Sequence, residues 1–202
     1  MDAKQDIECK NLTLSMKLMG EHIINMSHEL DITGPKKMIE DIMGADNIFL
    51  MGAGRSGLVG KAFAMRLMHL GYSVYVVGES TTPAVKENDV VIAISGSGET
   101  RSVADLGKIA KDIGSTLVTV TSNEDSTLGN LSDTVVEVPG RTKTQSGEYL
   151  ERHMRGEYDH LTPLGTSFEI STMVFMDAVI AELIHITGTS EAELKSRHTT
   201  LE

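Results

Sequence analysis

The stretch DVVIAISGSGETRSVADLGKIAKD spans residues 89–112 and sets the pattern for the whole chain. Residues 90–94 form a continuous apolar run that is too short for a buried helix, which predicts a strand buried on both faces. After a short polar turn, apolar residues recur at helical spacing from Val103 to Ile113. We therefore predict a buried strand, a turn rich in hydroxyls and a helix, in that order.

The turn between this strand and helix is typical of a phosphate-binding loop. Its residues are Ser95, Gly96, Ser97, Gly98, Glu99 and Thr100. The first turn of a helix offers unpaired N–H groups and a partial positive charge, glycines let a phosphate come close, and hydroxyls donate to its oxygens. The alternative is that these residues only form the turn and cap the helix. The loop lacks the Gly-Lys-Ser/Thr ending of a triphosphate-binding loop, so we expect a monophosphate.

A second glycine-rich turn, Gly52-Ala53-Gly54-Arg55-Ser56-Gly57, follows a predicted strand at residues 48–51 and precedes a predicted helix that runs to about Leu70. Its spacing matches the dinucleotide fingerprint G-x-G-x-x-G, and Glu79 after the next strand could bind a ribose, so a nicotinamide oxidoreductase is one alternative. Two glycine-rich turns after successive strands can instead enclose one small phosphorylated ligand. In that case Arg55 is a cation beside the ligand, and Gly54 and Ser56 belong to the same site.

The remaining strands are predicted at residues 74–77, 116–121 and 134–138. Five strands separated by helices or loops predict an α/β fold with a doubly wound parallel sheet, in which ligands bind at the carboxyl ends of the strands where the strand order reverses. Apolar residues spaced alternately by four and three predict a long leading helix over residues 12–30, followed by a second helix to Met43. We expect one domain over residues 1–202, with its N-terminal helical segment, residues 1–44, packed on the sheet or against a second subunit.

The composition limits the classes of partner and compartment. The formal net charge is −11, which argues against nucleic acid or an anionic membrane surface as a partner. Cys9 is the single cysteine and cannot form an internal disulfide, so we expect a reducing compartment. Charged residues interrupt the start of the chain, unlike a secretory leader, and the most apolar predicted helix, residues 170–186, is shorter than a membrane span requires. We expect a soluble, cytoplasmic protein.

Glu169 has two interpretations. Thr166 and Glu169 have the spacing of a capping box, in which the glutamate only closes the start of a helix. The following helix is apolar nearly all round and must be buried, however, and a carboxylate near a ligand pocket at the start of such a helix is a candidate general base. The polar stretch 140–159 that comes before it predicts a long mobile loop or lid.

Together these motifs resemble the sugar isomerase (SIS) domain family, and within it the 6-phospho-3-hexuloisomerase branch. The resemblance runs from about Met38 to the end of the chain. The serine-glycine loop carries the resemblance to the family, whereas two later elements narrow it to the branch. The matching elements are Gly52 to Ser56, Ser95 to Thr100, Thr162 to Thr166 with Phe168-Glu169, and Arg197-His198 with Leu201-Glu202.

The resemblance implies a homotetrameric isomerase that converts 3-hexulose 6-phosphate to fructose 6-phosphate, without a metal or another cofactor. It also implies hexulose-phosphate synthase as the partner in the ribulose monophosphate route of formaldehyde fixation. Glu169 is then the base, and Arg55 lies near the developing oxyanion. His198 moves hydroxyl protons in its own or a neighbouring subunit's site. The phosphate is held by Ser95, Ser97 and Thr100.

Two other classes stay open. A SIS module without catalysis could sense sugar phosphates, as such domains do in transcription regulators, but no basic patch or DNA-binding segment accompanies this one. A nicotinamide enzyme would leave the serine-rich loop unexplained.

Overall fold

A computed structural model describes residues 9–140, 165–198 and 200 of the chain. The predicted lid at 140–159 lies, apart from Gly140, outside these residues, as do Thr162 to Leu164 and the ending Leu201-Glu202. The elements run in the order α1 (Lys10–Glu29), α2 (Thr33–Gly44), β1 (Ile48–Gly52), α3 (Arg55–Leu70), β2 (Val74–Val76), β3 (Val90–Ile94), α4 (Arg101–Ile113), β4 (Thr116–Thr121), α5 (Thr127–Leu131), β5 (Thr134–Glu137), α6 (Thr166–Thr187) and α7 (Glu191–Ser196).

The five strands form one parallel sheet in the order β2-β1-β3-β4-β5, which confirms the predicted doubly wound fold. The chain runs outward from β1 to β2 and then crosses to β3 on the other side of β1. The strand order therefore reverses between β1 and β3, and Gly52 at the end of β1 lies opposite Ile94 at the end of β3. Both glycine-rich turns leave the sheet at this switch point, where ligands bind in such folds.

Helices cover both faces of the sheet. Side chains such as Leu50 and Ile92 pack under α1, α2, α3 and α6, whereas their neighbours Phe49 and Val91 pack under α4 and α5. Successive strand residues point to opposite faces, so a strand covered on both sides is mostly apolar along its whole length. All five residues of β3 are buried, as its continuous apolar run predicts.

The leading helix uses only part of its apolar seam within one chain. Met26 is buried in the core, and Ile23 and Leu30 pack against it. Nearer the amino end, Leu12 and Met16 are more than half exposed, at 57% and 63%. The second half of α1 therefore attaches to the sheet layer, and the first half presents apolar side chains to solvent in this chain. The expectation of one domain over residues 1–202 stays a prediction.

Two elements differ from the sequence prediction. The loop after β4 contains the five-residue helix α5, which is too short to show a helical period. Ser126 caps its amino end, and the hydroxyl of Ser126 accepts from the N–H of Gly129. The helix expected at residues 170–186 begins earlier and has 22 residues, so the expectation that it is shorter than a membrane span was wrong. With a mean hydropathy of 1.6 it is long and apolar enough to cross a membrane. In this fold it packs against α3 and α1, and nine of its 22 residues are buried.

Candidate active site

The serine-rich loop joins β3 to α4 and presents its hydroxyls at the end of the sheet. Ser95 is buried, and its hydroxyl donates to the hydroxyl of Thr100 at 3.2 Å. The hydroxyl of Ser97 accepts from the N–H of Glu99 at 3.2 Å. Thr100 directly precedes the first residue of α4, and among the described residues no side chain caps that first turn. The N–H of Val103 donates to the carbonyl of Thr100, so among the described residues the N–H groups of the two helical residues before it are left for an anionic ligand.

The turn after β4 holds this loop from the other side. The carbonyl of Gly96 accepts from the N–H and the hydroxyl of Ser122, at 3.0 and 2.7 Å. The carboxylate of Glu99 accepts from the N–H and the hydroxyl of Thr127, both at 2.7 Å, which lowers the pKa of Glu99. Glu99 therefore anchors the start of α5 instead of facing the ligand. Sequence reasoning missed these anchors, and the one signal for them is that the stretch 122–126 is rich in polar residues that form turns.

Gly98 is a point of close contact between the serine-rich loop and the turn after β4. Its φ of +65° is in the left-handed region, and a Cβ atom there would lie 1.8 Å from the hydroxyl oxygen of Ser126. The N–H of Leu128 donates to the carbonyl of Gly98 at 3.1 Å, which fixes the distance between loop and helix. Only glycine fits both the backbone conformation and the space.

The turn after β1 brings a cation to the same end of the sheet. Gly54, with φ +59° and ψ −130°, permits the sharp entry into α3, whose first residue is Arg55. Nε of Arg55 donates to Oε2 of Glu169, 114 residues later in the chain. The side chain of Arg55 is 62% exposed and that of Glu169 only 15%. The structure thus brings together the predicted cation and the predicted base. Ser56 follows in the first turn of α3 and is half-buried.

Glu169 reaches this position because the preceding residue packs on the serine-rich loop. Phe168 is 2% exposed, and a Cβ atom at Gly96 would lie only 2.9 Å from its ring. Helix α6 starts after Gly165, whose backbone is in the left-handed region and which has no side chain to act as a cap. The capping-box interpretation of Thr166 and Glu169 was therefore wrong, because Thr166 is already the first helical residue and the carboxylate of Glu169 binds Arg55.

His198 lies elsewhere. Its ring stacks on that of His69, with centroids 4.0 Å apart. Arg55 begins α3 and His69 is its last residue but one, so about 20 Å of helix separates them at about 1.5 Å per residue. Within one chain His198 does not join Arg55 and Glu169. Its role in a neighbouring subunit's site stays a prediction.

Glu79, the candidate ribose-binding residue of a nicotinamide enzyme, forms an ion pair in the structure. Its carboxylate accepts from Nζ of Lys61 at 2.5 Å, and this bond lowers the pKa of Glu79. The glycine-rich turn does have the strand-turn-helix form of the fingerprint, and a Cβ atom at Gly57 would lie 2.7 Å from the carbonyl oxygen of Gly52. The glycines are thus explained by close backbone packing in the turn itself.

Comparison with known proteins agrees with the fold. The SIS domain model matches residues 41–150. An uncharacterized protein of Methanothermobacter thermautotrophicus is 46% identical over 97% of this chain and 100% of its own. The 3-hexulose-6-phosphate isomerase of Bacillus subtilis is 38% identical over 82% of this chain and 85% of its own.

A solved structure supports the same family assignment. The crystal structure of a Methanococcus jannaschii protein, for which a function of 3-hexulose-6-phosphate isomerase was inferred, has a TM-score of 0.77 and 32% identity. The matched region covers 93% of this chain and 98% of the chain in that crystal structure. The fold and these relatives support a sugar-phosphate isomerase. With a matching family model over more than half of its length and relatives that span it, the chain belongs to the SIS domain family.

Proposed function

We propose that the protein converts 3-hexulose 6-phosphate to fructose 6-phosphate. The observation that carries this proposal is the pairing of the largely buried Glu169 carboxylate with Arg55, beside a serine-rich loop suited to a phosphate. Relatives of 34% to 38% identity are named for this reaction, and the Bacillus subtilis enzyme is one of them.

The reaction moves a carbonyl from carbon 3 to carbon 2. A base removes the proton from carbon 2, the electrons form an enediolate between carbons 2 and 3, and the proton returns to carbon 3. Glu169 is the proposed base for both proton transfers to carbon. Arg55 contacts that carboxylate and would also stabilise negative charge that develops on the neighbouring oxygens.

The serine-rich loop holds the phosphate in this proposal. The hydroxyls of Ser95, Ser97 and Thr100 and the uncapped first turn of α4 are the donors. Gly54 and Ser56 form the facing side at the start of α3. Because Phe168 packs against Gly96, any movement of the loop also moves the base, which links phosphate binding to the alignment of Glu169.

The proposal includes an oligomer. One proton must pass from the oxygen on carbon 2 to that on carbon 3, and His198 of a neighbouring subunit is the proposed carrier. The proposed assembly is a homotetramer, and the exposed apolar half of α1 is one surface for it. Hexulose-phosphate synthase is the proposed pathway partner in the cytoplasm.

The test supplies the substrate by coupling. Ribulose 5-phosphate and formaldehyde are converted by a hexulose-phosphate synthase, this protein is added, and fructose 6-phosphate is followed. Glu169→Gln should slow turnover by about 10²-fold or more, since an amide cannot accept a proton from carbon. Glu182→Gln is the matched control, because Glu182 lies exposed on the same helix. Deuterium from solvent should enter the sugar with the wild type and not with Glu169→Gln.

Other results would redirect the proposal. A Glu169→Gln protein with near-normal turnover removes Glu169 from the mechanism. A wild-type protein that binds fructose 6-phosphate but turns nothing over would favour the sensing module instead.

A further inference from the structure

A cleft of about 230 Å³ lies between the carboxyl ends of β1 and β2. Its floor is the backbone of the turn after β1, where Gly52 and Gly57 pack too closely for side chains. Its wall carries Lys61 from α3 and Glu79 from the loop after β2. Nothing in the phosphate loop or in the Arg55–Glu169 pair uses this cleft.

The cleft continues the candidate active site along the edge of the sheet. Gly52 lines the cleft and lies opposite Ile94, the residue before Ser95. Neighbouring strands are about 4.8 Å apart, so the cleft begins roughly one strand away from the phosphate loop. A six-carbon sugar phosphate is longer than that spacing. With its phosphate on the loop, its other end must extend beyond the loop in one direction.

The direction toward β4 is closed. Ser126 fills the space beside Gly98, and Thr127 binds Glu99 there. The direction toward β2 is open, because there the turn after β1 borders the cleft. The shape of this edge therefore points the far end of the sugar into the cleft.

The chemistry of the cleft suits hydroxyl groups. Lys61 supplies N–H donors and Glu79 supplies acceptor oxygens, and their side chains are 54% and 52% exposed, so both are accessible. The two charges cancel, which makes the cleft a poor site for a second phosphate but a good one for a neutral polyol that both donates and accepts. Glu79 is ionised at neutral pH, and the hydrogen bond from Lys61 lowers its pKa further, so the carboxylate is an acceptor.

We propose that this cleft receives the hydroxylated end of the sugar, and that Lys61 and Glu79 determine specificity for it. The inference rests on the proposed function, because it takes a sugar phosphate as the ligand of the neighbouring loop. The opposing interpretation is an ordinary surface ion pair, which contributes little to stability and nothing to binding.

A matched pair elsewhere in the chain separates the two interpretations. Lys111 and Asp133 form an ion pair of the same length, 2.5 Å, at the opposite end of the sheet. We would compare Lys61→Met, Glu79→Gln and the control Lys111→Met. For each variant, KM and kcat for 3-hexulose 6-phosphate and the inhibition constant of inorganic phosphate are measured.

The expected result is a selective loss of sugar recognition. In Lys61→Met and Glu79→Gln, KM should rise by about tenfold or more, as expected for the loss of a hydrogen bond to a charged group. The inhibition constant of phosphate should stay within about twofold, because phosphate contacts only the loop, and Lys111→Met should match the wild type. Unchanged KM in both cleft variants would overturn the inference. So would a parallel loss of phosphate affinity, which would indicate a disturbed loop.

A calorimetric measurement keeps this test independent of turnover. If the wild type converts no hexulose phosphate, the proposed function fails, but binding of fructose 6-phosphate and of inorganic phosphate can still be compared. Weaker binding of fructose 6-phosphate alone in the cleft variants would support the inference. Equal changes for both ligands, or none, would refute it.

Discussion

The contact between Gly98 and Ser126 makes the architecture of the phosphate loop testable. In Gly98→Ala the new methyl group sits on a residue with φ of +65°, which costs about 1–2 kcal/mol for a residue other than glycine. The methyl group must also enter space that Ser126 already fills, which costs about 1–3 kcal/mol more. We therefore expect Gly98→Ala to lower the free energy of unfolding by about 2–5 kcal/mol and to raise KM.

The two terms can be measured separately. Gly188 has nearly the same φ, +66°, and a Cβ atom there would meet nothing within 4 Å, so Gly188→Ala should cost only the backbone term of about 1–2 kcal/mol. Ser126→Gly removes the filled space and keeps an acceptable N-cap residue, at a cost of a few tenths of a kcal/mol for the cap. The double variant Gly98→Ala/Ser126→Gly should then be more stable than Gly98→Ala alone.

Urea unfolding followed by circular dichroism gives the free energy of unfolding of the wild type and of the four variants, provided the slopes agree. The double-mutant cycle should show a favourable coupling of about 1–3 kcal/mol between positions 98 and 126. Strict additivity of the two substitutions, or a Gly98→Ala protein as stable as Gly188→Ala, would refute the argument that Ser126 closes the loop.

Three further predictions follow from the described contacts. Ser97→Ala should raise KM for the sugar phosphate by the equivalent of about 1.5–3 kcal/mol, measured by the coupled assay, if its hydroxyl donates to the phosphate. Partial desolvation at the end of β5, and then the carboxylates of Glu124 and Asp125, raise the pKa of the exposed Glu137 above its usual 4.5. This group therefore makes the protein slightly less stable as pH rises from 4.5 through the raised pKa. Glu137→Gln should therefore raise Tm at neutral pH, and the gain should vanish below pH 4.5; an equal gain at both pH values would contradict the assignment. If the exposed apolar half of α1 joins subunits, deleting residues 1–30 should reduce the number of subunits per assembly, measured by light scattering. An unchanged number of subunits would mean that α1 packs only within its own chain.

The sequence by itself was enough to predict the sheet and the two turns that form the candidate site. A strand covered on both faces is apolar at most positions, so the continuous apolar run of Val90 to Ile94 could be recognised from composition alone. Turns that require glycine and hydroxyls are also local, since their conformations depend on a few adjacent residues. The predicted phosphate loop and the glycine-rich turn after β1 follow from that local information. The same reasoning failed for α5, whose five residues are too few to show a period.

Only the tertiary structure decided which side chains meet. The spacing of Thr166 and Glu169 fits a capping box, yet the carboxylate binds Arg55, which is remote in sequence and comes close only through the packing of α6 on α3. The same holds for His198, which the packing of α3 and α7 places beside His69 instead of beside Glu169. Periodicity records which face of an element is buried, but the partner across that face depends on how whole helices pack, and side-chain contacts of long sequence separation leave no local pattern to read.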